Sequence, residues 1–184
     1  MKKILLAGIL ALCFSNLVFA LDPFERDSVF QSKDLSVKQI YDGLKKWFVT
    51  MSVSDSRNVI QVDDAQNGSL VGRITFDFKY DNLTWGASTG YITVVFDIKI
   101  RDGRYKVKLT DFTHISNHPK YADGWSLGVI TEVMPAEWEK GWKFKQNRAV
   151  YKKVRERCEE IQSYIFSEIG SYMGNYKPVE EEDW

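Results

Sequence analysis

Two histidines, His114 and His118, stand four residues apart with Asp111 and Asn117 close by. On a helix that spacing would bring both imidazoles to one face and could seat a metal ion. The segment reads instead as the end of a strand, Pro119 follows directly, and no third ligand is evident. The expectation is therefore loop histidines in solvent and no metal. Cys158 would need a base and an electropositive setting to act as a nucleophile. It falls between Val154 and Ile161 on an apolar stripe, and reads as a small buried hydrophobe. The carboxylate pairs Asp63-Asp64 and Glu159-Glu160 could do acid/base work only if burial raised one pKa. The first pair opens a turn, and the second lies at adjacent helix positions, which do not face each other. Both read as solvated charge. With no phosphate loop, nucleophile elbow or zinc-ligand set, no catalytic residue and no cofactor are expected.

The tryptophans say more. Trp47 falls on the core face of a helix, whereas Trp85 sits in a Gly-containing turn, and Trp125, Trp138 and Trp142 cluster in an irregular stretch beside Gly124, Glu139, Lys140 and Lys143. Loop indoles often end in a partner's pocket or mark the rim of a cleft. The plainer reading is that the stretch folds back and buries them. Trp85, Trp125, Trp138 and Trp142 are the candidate binding residues. Lys143, Lys145, Arg148, Lys152, Lys153, Arg155 and Arg157 form a basic run, followed by Glu156, Glu159 and Glu160. It reads as a solvated helix face, or as a patch for an acidic partner or anionic polysaccharide.

These residues need elements to hold them. Residues 35–51 predict a helix, with a capping box of Ser36 and Gln39, a staple of Leu35 on Ile40, and Val37, Ile40, Tyr41, Leu44, Trp47 and Phe48 on one face. The following residues alternate with period two between turn signals. Strands are expected at 58–63, 70–80, 91–101 and 104–115, after a short extended segment near 27–31. Asp102-Gly103 predicts a two-residue hairpin with positive φ at both positions. One apolar face per strand implies an antiparallel sheet covered on one side. Residues 116–144 read as an irregular connection with a short strand or helical turn. Residues 146–173 predict a long helix whose stripe is Val150, Val154, Cys158, Ile161, Ile165 and Ile169. Residues 176–184 read as an acidic tail.

The N-terminus reads as a secretory signal. Lys2 and Lys3 are basic, Ile4 to Leu12 apolar, and Val18-Phe19-Ala20 suits a peptidase. Cleavage after Ala20 is expected, with no transmembrane segment left; lipidation of Cys13 is the alternative. Removing residues 1–20 from 184 leaves 164, and removing Lys2 and Lys3 leaves 23 of the 25 basic residues against 25 acids. Such a balance offers no overall field to attract nucleic acid. Cys158 is left alone, so stability must come from a packed core; a composition 44% hydrophobic and 14% aromatic can supply one.

Ser32-Lys33-Asp34-Leu35-Ser36 leading to Tyr41 and Trp47, then Val59-Ile60-Gln61-Val62-Asp63-Asp64 with Gly68 and Gly72, and Ile98-Lys99-Ile100-Arg101-Asp102-Gly103-Arg104-Tyr105 together resemble an exported Bacteroidetes family, the domain-of-unknown-function family 4468. The resemblance covers residues 24–115. It implies a fold like one repeat of the TATA-binding protein and an exported location, and it carries over no catalytic residue. It does not imply DNA binding, because fold is not function.

The expected fold class is α+β: a helix-grip or TBP-like antiparallel sheet of four to five strands, packed on an N-terminal and a long C-terminal helix, in a single domain at 21–175. Two functions fit. One is a non-catalytic cell-envelope interaction module that presents the loop tryptophans to a protein or glycan. The other is a carrier of small hydrophobic ligands, with a cavity lined by Ile92, Val94, Phe96, Tyr105 and the last helix. The signal reading predicts that the exported protein begins at Leu21. N-terminal sequencing checks this, and an acylated chain beginning at Cys13 would replace cleavage by lipidation.

Overall fold

The computed structural model describes residues 21–52, 57–80, 88–118, 125–139 and 144–178. The expected signal at 1–20 with Cys13, the candidate residues Trp85 and Trp142, and the acids of the tail lie outside the described residues.

The first helix begins where its side chains satisfy its free amides. The Ser36 N–H donates to Gln39 Oε1 (2.9 Å) and the Gln39 N–H to Ser36 Oγ (3.3 Å), the reciprocal capping box. From there α1 runs Val37–Ser52. It buries Ile40, Tyr41, Leu44, Trp47 and Phe48, as its periodicity predicts. The strands are β1 (Arg26–Gln31), β2 (Val59–Asp64), β3 (Ser69–Phe78), β4 (Gly90–Arg101), β5 (Arg104–Ser116) and β6 (Gly128–Val129). A 3-10 turn at Ala136–Glu139 leads into α2, Phe144–Asn175.

All pairings are antiparallel, in the order β1-β5-β4-β3-β2, with β6 added to β5. The sixth strand exceeds the four to five expected. Its partners are carbonyls and amides that the irregular connection folds back to reach: Ile130 N–H donates to Phe112 O (2.7 Å) and Phe24 N–H to Ile130 O (2.8 Å). The β2–β3 ladder slips register between Ile60 and Val62.

Strict alternation in β4 turns Ile92, Val94, Phe96, Ile98 and Ile100 to one side, where all are buried. Both helices cover that side. Phe96 meets Phe48 at 5.1 Å and Trp47 edge-on at 6.2 Å from α1. Tyr105 stacks on Phe30 at 5.1 Å, and Phe30 meets Phe166 of α2 edge-on. The expected stripe of α2, Val150 through Ile169 with Cys158, is buried throughout. Each such side chain contributes about 1.5–3 kcal/mol relative to exposure.

Two local features differ from expectation. In the hairpin at Asp102-Gly103 only Gly103 has positive φ (66°). Asp102 keeps an ordinary backbone, which a side-chain-bearing residue adopts without strain, and the Ser32 N–H fixes the turn by donating to Gly103 O (2.8 Å). In β5, Asp111 has φ 51° and the β4 register jumps between Thr93 and Val95. This bulge adds a residue and reverses the side-chain phase. Tyr105, Val107 and Leu109 face inward before it, and Phe112, His114 and Ser116 after it.

The core leaves no room at Gly72, where an added Cβ would lie 2.4 Å from Phe96 Cζ. Gly72→Ala is expected to destabilise by about 1–3 kcal/mol. Gly174→Ala, with nothing within 4 Å, should be neutral or stabilise by up to about 1 kcal/mol. Urea unfolding midpoints of the two variants check the contrast.

Candidate functional site

The irregular connection is held against the domain by the short β6 ladder and by further backbone and aromatic contacts. Tyr151 of α2 donates its hydroxyl to Thr131 O (2.5 Å), and the Trp138 N–H donates to Pro135 O (3.0 Å). Those bonds bring the Trp138 ring edge-on to Tyr151, with centroids 6.0 Å apart. Trp138 is half-buried against the core, and so is Trp125 relative to solvent. The structure thus divides the candidate residues: Trp138 packs on Tyr151 at the α2 end, and Trp125 lies at the other end of the connection.

Against Tyr151, which the Trp138 ring meets, lies a cavity of about 380 Å³ with Met134, Tyr151, Arg148 and Arg155 in its walls. Arg155 is fixed there. It pairs with Glu132 (3.0 Å) and Glu159 (2.7 Å), and its guanidinium lies over the Phe24 ring at 3.6 Å. Glu132 also takes Arg26 at 2.5 Å. The hydrogen bond from Arg26, with support from Arg155, holds the Glu132 carboxyl below its usual range. This knot ties the start of the domain, the connection and α2 together.

Within the basic run visible in the sequence, Lys152, Lys153, Arg155 and Arg157 are paired with carboxylates. Lys153 pairs with Glu156 (2.9 Å) and Arg157 with Glu160 (2.9 Å), each one helical turn away. The carboxylate pairs are likewise engaged. Asp63 accepts from Tyr41 and from Lys45 (2.6 Å), and the bond from Lys45 lowers its pKa. Asp64 accepts from the Asn67 amide and side chain (3.1 and 2.7 Å), which lower its pKa. Neither has the raised pKa that a neutral general acid requires. Burial pushes the Cys158 thiol up to about 12, opposite to the activation a nucleophile needs.

His114 is the correction. Expected in a solvated loop, it is fully buried, because the bulge at Asp111 turns it into the core. Its Nε2 lies 2.9 Å from Ser88 O, and its Nδ1 accepts the Leu127 N–H at 3.2 Å. Those partners require the neutral ring with the proton on Nε2. One imidazole therefore pins the chain before β4 to the connection after β5. Burial lowers its pKa, partly offset by the Ser88 carbonyl. The signal for this role was Phe112, an apolar residue out of phase with Leu109. Among the described residues no three His, Cys, Asp or Glu side chains converge as a metal site.

A histidine whose folded pKa lies below its unfolded value of about 6.5 binds fewer protons when folded. Its stabilisation is present above pH 6.5 and is lost as pH falls through and below that value. The carboxylates with lowered pKa act only at more acidic pH. Urea midpoints of the wild type are expected to fall between pH 7.5 and 5.5, and His114→Gln should flatten that slope even if it lowers stability at both pH values.

Comparisons with known proteins agree with this architecture. The family model described as a domain of unknown function (DUF4468) with TBP-like fold matches residues 27–114. A DUF4468 family protein from Bacteroides ovatus superposes with a TM-score of 0.60 at 16% identity, covering 88% of this chain and 95% of that one. A TBP-like protein from Parabacteroides distasonis superposes with a TM-score of 0.57 at 10% identity, covering 84% and 95%. Identities this low speak to fold alone. No curated protein matches the chain. The match runs from Asp27 in β1 to His114, nearly the 24–115 over which the sequence resemblance runs, and over those residues the chain matches the DUF4468 family model and has its TBP-like fold.

Proposed function

We propose that the mature chain is an exported, non-catalytic interaction module of the cell envelope, which uses the connection between β5 and α2 to hold a protein or glycan partner. The observation that carries this reading is Trp138, half-buried on Tyr151, which itself lines the cavity shared with Met134 and Arg155. An indole packed on a tyrosine, with a fixed arginine in the wall that tyrosine shares, is the kind of anchor around which interfaces concentrate their energy. Tyr151 and Arg155 are held by Thr131, Glu132 and Glu159, so little ordering is left for binding to require. Among the described residues no helix is long and apolar enough to cross a membrane.

The carrier reading needs empty space between sheet and helices. Ile92, Val94, Phe96 and Tyr105 are buried to 1% exposure or less, and Phe96 and Tyr105 are in aromatic contact with α1 and β1. That filling favours the interaction module.

Residues 21–184 immobilised and challenged with the native envelope fraction should retain a component that a triple Trp125→Ala, Trp138→Ala, Trp142→Ala variant does not. Equal retention by both proteins would sink the reading. A lipid extracted in stoichiometric amount from the purified protein would replace it with the carrier.

A further inference from the structure

The side of the sheet away from the helices is charged, and at the hairpin end the charges carried on its strands are basic, with Asp102 in the turn itself. Arg101 of β4 stands directly opposite Arg104 of β5, and Lys99 directly opposite Lys106. Alternation puts all four on the uncovered side, each exposed. Opposed residues have Cβ atoms about 5 Å apart, and successive residues on one face of a strand about 7 Å. Four cations thus form a small rectangle in the two central strands, where like charges directly opposite weaken the pairing.

Lys106 is paired with Asp27, and Lys99 with Asp97 (3.5 Å) and the Ser69 hydroxyl (2.7 Å). Among the described residues Arg101 and Arg104 have no carboxylate partner. Farther along, Lys108 is taken by Glu25 (2.6 Å). A cavity of about 370 Å³ lies over the rectangle, lined by Val29, Lys99, Arg101, Arg104, Tyr105 and Lys106. Val29, 54% exposed in the neighbouring strand, gives it an apolar patch.

We propose that this end of the open sheet face is a binding site for an acidic saccharide, one that bears carboxylate or sulfate groups on its sugar rings. The planar guanidiniums of Arg101 and Arg104 match such oxyanions with paired N–H donors. Val29 and the methylene stems of the lysines and arginines offer an apolar surface to the C–H face of a ring. The cavity is at the small end of the range for ligand clefts. Asp27, Asp97 and Glu25 bound the rectangle, so an anionic bilayer laid on this face meets carboxylates as well as cations. A nucleic-acid duplex gains its affinity from a longer row of phosphate contacts than four cations supply. The site is separate from the cavity that Tyr151 lines.

Calorimetric titration of residues 21–184 with an oligogalacturonate hexamer and a heparin-derived hexasaccharide tests this, with maltohexaose, inorganic sulfate and phosphatidylglycerol vesicles as comparison arms. Expected are saturable binding of at least one acidic hexasaccharide, weaker at high salt, and no binding of maltohexaose. An Arg101→Gln, Arg104→Gln variant should bind at least about tenfold more weakly with a Tm equal to or above that of the wild type, because it relieves a repulsion. The triple tryptophan variant should bind these saccharides as the wild type does, which separates this site from the proposed partner groove. Absence of binding, binding of inorganic sulfate as tight as that of the saccharides, binding to vesicles alone, or a lowered Tm in the arginine variant would each overturn the proposal.

Discussion

The structure depends on one constraint, that β4 can bury only one of its two faces. Its alternation from Ile92 to Ile100 gives a five-residue apolar column, and a sheet built on that column must be covered on that side and hydrated on the other. Covering takes two helices because the column is long. Phe96 is met by α1, while the β1 and β5 flank is met through Phe30 by α2. The remaining face is then free to carry charge in register, as in the row Asp27, Lys108 and Asp97 across β1, β5 and β4. Core and surface are thus set by the same two-residue period.

The bulge at Asp111 is the point where that period is broken on purpose of the connection rather than of the core. Without the extra residue, Phe112 and His114 would face water and the segment after β5 would have nothing to dock against. With it, Phe112 packs on Phe24 at 4.9 Å and His114 supplies both a donor and an acceptor to passing backbone. The ladder continues into β6, and the same region receives the salt-bridge knot of Arg26, Glu132 and Arg155. A single left-handed residue converts a plain meander into a closed attachment for the connection and the start of α2.

The regular elements were legible because periodicity reports directly on burial. The capping box of Ser36 and Gln39, the β4 column and the α2 stripe with Cys158 all stand where spacing puts them. What the sequence hid depends on contacts between distant residues. His114 looked like a loop residue because nothing adjacent to it shows that a bulge reverses its side; only the misplacement of Phe112 hinted at it. The basic run at the start of α2 was conspicuous, yet its Lys152, Lys153, Arg155 and Arg157 are spent on Glu156, Glu159 and Glu160 one turn away. The basic rectangle was less visible, because Lys99, Arg101, Arg104 and Lys106 are interleaved with apolar residues and gather only when the Asp102-Gly103 hairpin sets their register. Burial of Trp125 and Trp138 to an intermediate degree follows from how the connection folds back, which no local pattern encodes.

The slipped register in β2 bears on how the molecule behaves in a crowd of its own copies. β2 is an outer strand of the sheet, and Val62 is 43% exposed on it. A straight outer strand with exposed apolar side chains invites another chain to continue the ladder. The irregularity between Ile60 and Val62 interrupts the even spacing of free amides and carbonyls that such an addition needs, and the ionised Asp63 and Asp64 at its end oppose the same sequence arriving from a second molecule. β2 is therefore a poor template for a second copy to extend the sheet from that edge.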